Sequence, residues 1–164
     1  MRNGEFEREI KRRLKGAKKI VVMAVGDELD PRDCLGILAG KRISSLRLRQ
    51  VKVLLTSQMP ENYTSVVRRE RPSHIVLIDA AEMGGAPGDV RLIHPGSVVA
   101  TRVSTHAMPL SLLMGYLEKE LKASVLLIGI QPSTTRRFWA HDQPPGIVKG
   151  IERIARGLKE ALWR

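Results

Sequence analysis

The chain has 164 residues, 43% hydrophobic and 27% charged, with a formal net charge of +11. Its length suits one domain with a buried core, its composition is too apolar for a disordered chain, and it has no apolar stretch of the ~18–20 residues a membrane helix needs. A charged start (Arg2, Glu5, Glu7, Arg8, Glu9) is unlike a secretory leader, and a single cysteine, Cys34, excludes an internal disulfide or a Cys-rich zinc site and fits a reducing cytoplasm. In chain order, helical periodicity is expected over residues 5–16. Residues 19–25 (KIVVMAV) form a continuous apolar run closed by Gly26 and Asp27, as a strand buried on both faces would. A helix follows over 33–43, a second buried strand over 51–56 (VKVLLT), and a helix over 62–70 that Asn62 would cap. A third strand covers 74–79 (HIVLID), and 89–93 (DVRLI) alternates polar and apolar residues, as an antiparallel edge strand does. A helix over 109–122 has Pro109 in its first turn, the last strand spans 124–130 (SVLLIGI), and a helix covers 145–162.

Strands separated by helices call for parallel pairing through right-handed crossovers. The expected fold is therefore a three-layer α/β/α sandwich around a five-stranded, mostly parallel sheet with one antiparallel edge strand, in one domain over residues 1–164.

Basic charge clusters in residues 1–20, with eight basic against three acidic side chains, and in 41–71, with eight against two. Between Pro72 and Pro95 the balance reverses, with Asp79, Glu82 and Asp89 against Arg91. Arg8, Lys11, Arg12 and Lys15 fall at helical spacing, as on a solvated face, and aromatic residues are only 4%, too few for a base-stacking platform. Nucleic acid is therefore not the expected partner. The basic surface is assigned to docking an acidic face of a partner protein.

Open α/β sheets bind ligands beyond the carboxyl ends of their strands, where strand order reverses. The first strand leads there into GDELDPRDCLG, the third into IDAAEMG, and the last into GIQPS, while STHAMPLS precedes the helix at Pro109. Asp33, Asp79 and His106 can thus converge on one rim, and two carboxylates with an imidazole suit a divalent ion such as Ni, Zn or Fe(II). Each also has a plainer role: Asp33 as a helix N-cap, Asp79 as a paired carboxylate at the strand terminus, and His106 as a structural histidine. His74 reads as structural, and His94 and His141 carry no signal. Cys34 beside Asp33 raises a Cys34–His106–Asp79 nucleophilic triad instead, for which no oxyanion hole is visible. The glycines match neither a dinucleotide fingerprint nor a P-loop.

VVMAVGDELDPRDCLG resembles the opening strand and G-N-x-L-x-x-D-[DE]-G-x-G loop of the hydrogenase maturation endopeptidases. The middle of the chain, PENYTSVVRRERPSHIVLIDAAEMGGAPGDVRLI, is similar to the type that serves hydrogenase 3, as are STHAMPLSLLMGYL and LLIGIQP. The resemblance implies a cytoplasmic, monomeric, nickel-dependent endopeptidase that removes a C-terminal extension from the large-subunit precursor of a [NiFe] hydrogenase, the nickel arriving with the precursor. It places the metal and catalytic residues on Asp33, Asp79 and His106. A non-catalytic metal-binding assembly factor for the same precursor is the alternative. The loop departs from the family pattern at two positions: Asp27 stands where Asn is usual, and Cys34 where Gly is usual. Cysteine resists the left-handed backbone that glycine reaches, so a constrained loop is expected at Asp33.

Overall fold

The computed structural model describes residues 4–94, 102–103, 108–134 and 142–163. Its elements are α1 (Glu5–Arg13), β1 (Ile20–Val25), α2 (Leu35–Ser45), β2 (Val51–Ser57), α3 (Thr64–Glu70), β3 (His74–Glu82), β4 (Val90–Ile93), β5 (Arg102–Val103), α4 (Leu110–Leu121), β6 (Ser124–Ile130) and α5 (Pro145–Leu162), with a 3-10 turn at Pro60–Tyr63 before α3. No helix among the described residues is long and apolar enough to cross a membrane.

The main sheet runs β2-β1-β3-β6-β4. β2, β1, β3 and β6 are parallel, and β4 closes one edge antiparallel to β6. This is the expected mixed sheet, and its chemistry follows from coverage. Every residue of β1 is buried because helices cover both faces, so the strand is apolar throughout.

Handedness decides which helix lies on which face. The β1-to-β2 connection moves one way across the sheet, and the β2-to-β3 and β3-to-β6 connections move the other way. With right-handed crossovers, α2 must then fall on the opposite face from α3 and α4. Two buried clusters record this division. Val76, Ile78 and Ala80 of β3 pack with residues of α1, α2 and α5, whereas Ile75, Leu77 and Ala81 pack with residues of α3 and α4.

Three local expectations are corrected. Asn62 lies inside the 3-10 turn, and α3 begins at Thr64 without a side-chain cap. Pro109 occupies the N-cap position rather than the first turn of α4. Most consequentially, β3 does not stop at Asp79 but continues to Glu82. Its pairing with β1 ends at Ile78, and two residues of β5 take up its edge at Ala81 and Glu82. The run that reads as a six-residue apolar strand therefore projects past its neighbour, and Asp79 is the first residue of the projecting part.

Candidate functional site

Strand order reverses between β1 and β3, so the loop after β1 and the projecting end of β3 frame the crevice where such folds bind ligands. Asp79 lies in that crevice. It is fully buried, its Oδ1 accepts the Ala80 N–H at 2.8 Å, and alternation along β3 puts it on the α4 side with Leu77 and Ala81. Burying a carboxylate here has a cost that only partners offset.

Asp33 arrives from the loop between β1 and α2. It is not the N-cap of α2; Cys34 holds that position, with no side-chain cap bond. Asp33 instead closes its own loop, with Oδ2 accepting the Asp27 N–H at 2.8 Å. Asp27 in turn accepts the Leu29 N–H through Oδ1 at 2.9 Å and meets the Gln58 side-chain amide through Oδ2 at 3.3 Å. The Asp in place of Asn is thus acceptor-only, and both of its oxygens shape the loop. Glycine is required on either side of Asp33. A Cβ on Gly26 would lie 1.9 Å from the Asp33 carbonyl oxygen, and one on Gly36 would lie 2.2 Å from those of Val25 and Ile78. That contact seats the first turn of α2 on the crevice itself.

The expected constraint at Cys34 does not arise. Its φ of −75° and ψ of −2° are right-handed, a conformation that needs no glycine. The side chain is fully buried in the cluster shared with α2 and α5, on the opposite face from Asp79. Burial, with the Asp30 and Asp33 carboxylates adding to it, pushes the thiol up to about 11. A buried thiol so hard to ionise and turned away from Asp79 does not form the nucleophilic triad. His106 and His141 lie outside the described residues. Among the described residues, no three His, Cys, Asp or Glu side chains group so as to hold a metal ion. His74 is structural as expected, with Nδ1 at 3.0 Å from the Ser73 hydroxyl and burial lowering its pKa.

A polar chain that the sequence does not advertise spans the same rim. Arg32, next to Asp33, donates through Nη2 to Glu82 Oε1 on β3. Gln131, just past β6 and 3% exposed, donates through Nε2 to Glu82 Oε2 at 2.9 Å. Its Oε1 accepts the N–H groups of Met83 and Gly85 at 2.6 and 3.3 Å. On the far side, Gln143 Nε2 donates to the Pro31 carbonyl at 2.9 Å. The segments after β1, β3 and β6 and before α5 are thereby joined at one end of the sheet.

These features define a class: a doubly wound α/β protein with a buried strand carboxylate and a carboxylate-closed loop at its switch point. The comparisons narrow it further. Residues 41–156 match the model of the HycI family, hydrogenase maturation protease, and the chain belongs to that family. A Methanocaldococcus jannaschii protein named as a hydrogenase maturation protease is 30% identical over 128 residues, covering 73% of this chain and 76% of the relative. The hydrogenase 3 maturation protease of Escherichia coli K12 is 29% identical over 140 residues, covering 85% of this chain and 88% of the relative. The crystal structure of the [NiFe] hydrogenase maturation protease HycI from Thermococcus kodakarensis superposes with a TM-score of 0.80 at 27% identity, covering 94% of this chain and 98% of that one.

Proposed function

We propose that this protease is a cytoplasmic, monomeric endopeptidase that removes the C-terminal extension from a [NiFe] hydrogenase large-subunit precursor, using Asp33, Asp79 and His106 to engage nickel carried by that precursor. The observation that carries the reading is Asp79. A fully buried carboxylate in a family of proteases sits where this fold binds ligands, on the face where α4 packs. His106 lies four residues before α4 begins at Leu110.

Carboxylate oxygens with an imidazole suit a borderline divalent ion and leave positions open for a substrate oxygen. Bound there, the ion would supply Lewis acidity toward the scissile carbonyl. The chain's own residues do the placing. The Ala80 N–H fixes one oxygen of Asp79, and the Asp27 N–H fixes one oxygen of Asp33, so both carboxylates meet the substrate with their orientations already set. Hydrolysis adds one water across the peptide bond, its oxygen to the carbonyl carbon and a proton to the departing amine.

The test is incubation of purified protein with nickel-loaded precursor, read by mass spectrometry. Shortening of the large subunit is expected with the wild type and its loss with Asp79→Ala and His106→Ala. A stable complex without shortening would make the protein an assembly factor. Full processing by either variant would remove that residue from the site.

A further inference from the structure

The reaction as proposed leaves Arg32, Glu82 and Gln131 unused, yet they form the densest polar constellation described at the crevice. Gln131 is almost wholly buried, and its amide is fully employed: Oε1 takes two backbone N–H groups, while Nε2 donates to Glu82 at 2.9 Å and to the Pro132 carbonyl at 3.5 Å. Its backbone is tied as well. The Gly88 N–H donates to the Gln131 carbonyl, and the Gln131 N–H to that of Asp89, each at 2.9 Å.

Stability is a poor reason for the other half of the chain. The Arg32 and Glu82 side chains are 33% and 39% exposed, so water screens their attraction. Among the described residues, Arg32 Nε is buried without a hydrogen-bond partner, a cost that comes with holding the guanidinium on Glu82. The arrangement does have a geometric effect. Glu82 lies three residues beyond Asp79, on the part of β3 that β1 no longer supports, and Arg32 adjoins Asp33. The network is a strut between the two carboxylate-bearing segments, anchored at its base by Gln131.

We infer that Glu82 and Gln131 are positioning residues for this reaction: through Arg32 they set where the Asp33 loop stands against the Asp79 strand. The inference rests on the proposed assignment of Asp33 and Asp79 to the site. It also makes a donor–acceptor prediction, because the contact joins an amide donor to a carboxylate acceptor and can be reversed without changing shape. Glu82→Gln places an amide donor against the Gln131 amide donor, and Gln131→Glu places one carboxylate against another. The double variant E82Q/Q131E restores one donor and one acceptor, and the carboxylate it puts at position 131 still accepts the Met83 and Gly85 N–H groups.

The experiment measures precursor cleavage and amide hydrogen exchange on the full-length protein and these three variants, at a temperature where all are folded. Each single variant is expected to lose about tenfold in kcat with KM within about twofold, as misplacement of reacting groups does. Exchange at the Asp27 and Leu29 amides is expected to quicken about tenfold in each single variant. The double variant is expected to recover both to within about threefold of wild type. Wild-type kcat and exchange in the single variants would overturn the inference, as would a double variant no better than its parents. If Gln131→Glu does not fold, Arg32→Lys replaces it, since a single ammonium cannot hold the guanidinium's geometry; unchanged kcat there would also overturn the strut. If the wild type itself fails to cut the precursor, the proposed function falls, and the exchange comparison still decides the network.

Discussion

The Cys34 thiol sits at the N-cap of α2 with its backbone in the right-handed region, and it is sealed into the cluster under α5. Nucleophilic chemistry needs the thiolate, and with a pKa pushed up to about 11 this group stays protonated far above neutrality. Native protein treated with a thiol-alkylating reagent at neutral pH should therefore keep its processing activity. Cys34→Ala should keep activity within about threefold while losing about 1 kcal/mol of stability, which lowers Tm by about 2–4 °C in a domain of this size. Loss of cleavage without loss of Tm would restore the cysteine-peptidase reading. Residue type alone suggested that chemistry, since Cys34, Asp79 and His106 are the right groups for a triad. The opposing faces of the sheet that separate Cys34 from Asp79 become visible only when β3 is placed and its alternation read.

At the scale of elements, α1 shows how a charged helix is fastened to an apolar sandwich. Phe6, Ile10 and Leu14 are buried at helical spacing, and α5 packs beside them. Arg153 of α5 lies over the Phe6 ring at 5.5 Å and donates through Nε and Nη2 to the two oxygens of Glu7. Hydrogen bonding from Arg153 holds the Glu7 carboxyl below its ordinary range. A carboxyl lowered by folding adds stability above its unfolded pKa, and that stability is lost as pH falls through the folded value. Glu7→Gln should therefore lower Tm at neutral pH by about 2–4 °C, for about 1 kcal/mol, and the difference should begin to shrink as pH falls below the ordinary carboxyl value of 4.5 and vanish only under the lowered folded value. A difference independent of pH in thermal melts would assign the effect to packing instead. Apolar runs, one alternating stretch and helical periods made the five main strands and the five helices among the described residues legible. What stayed hidden depends on partners distant in the chain. β3 reads as ending at Asp79 because a carboxylate normally leaves an apolar strand, yet β5 pairing carries it to Glu82. Gln131 reads as a loop residue because its Glu82 partner lies 49 positions away. Asp33 and Asp79 are legible as site candidates because their strand ends are; the strut between their segments is not.

Across the whole molecule, the net charge is +11, and one cluster of it lies away from the crevice. Arg8, Lys11, Arg12 and Lys15 line an open depression with Gly16 and Ala161, where α1 and α5 end. Because α1 leads into β1 and α5 follows β6, both helices end at the amino edge of the sheet, opposite Asp79 and the Asp33 loop. Charge at that distance contributes little to bond making, but its field extends over about a Debye length, roughly 10 Å at 0.1 M salt, and guides the approach of an acidic partner. The consequence differs from that of a phosphate-binding surface. Steering acts on encounter and not on the chemical step, so salt should slow capture of the precursor while leaving turnover of the bound complex unchanged. Raising NaCl from about 0.05 to about 0.5 M should reduce kcat/KM for the precursor by about tenfold while kcat holds within about twofold. Lys11→Glu combined with Lys15→Glu should produce a similar fall at low salt and flatten the salt dependence. Initial-rate measurements across that series check both outcomes. A wild-type kcat/KM indifferent to salt would show that the basic helix face serves solubility and not precursor capture.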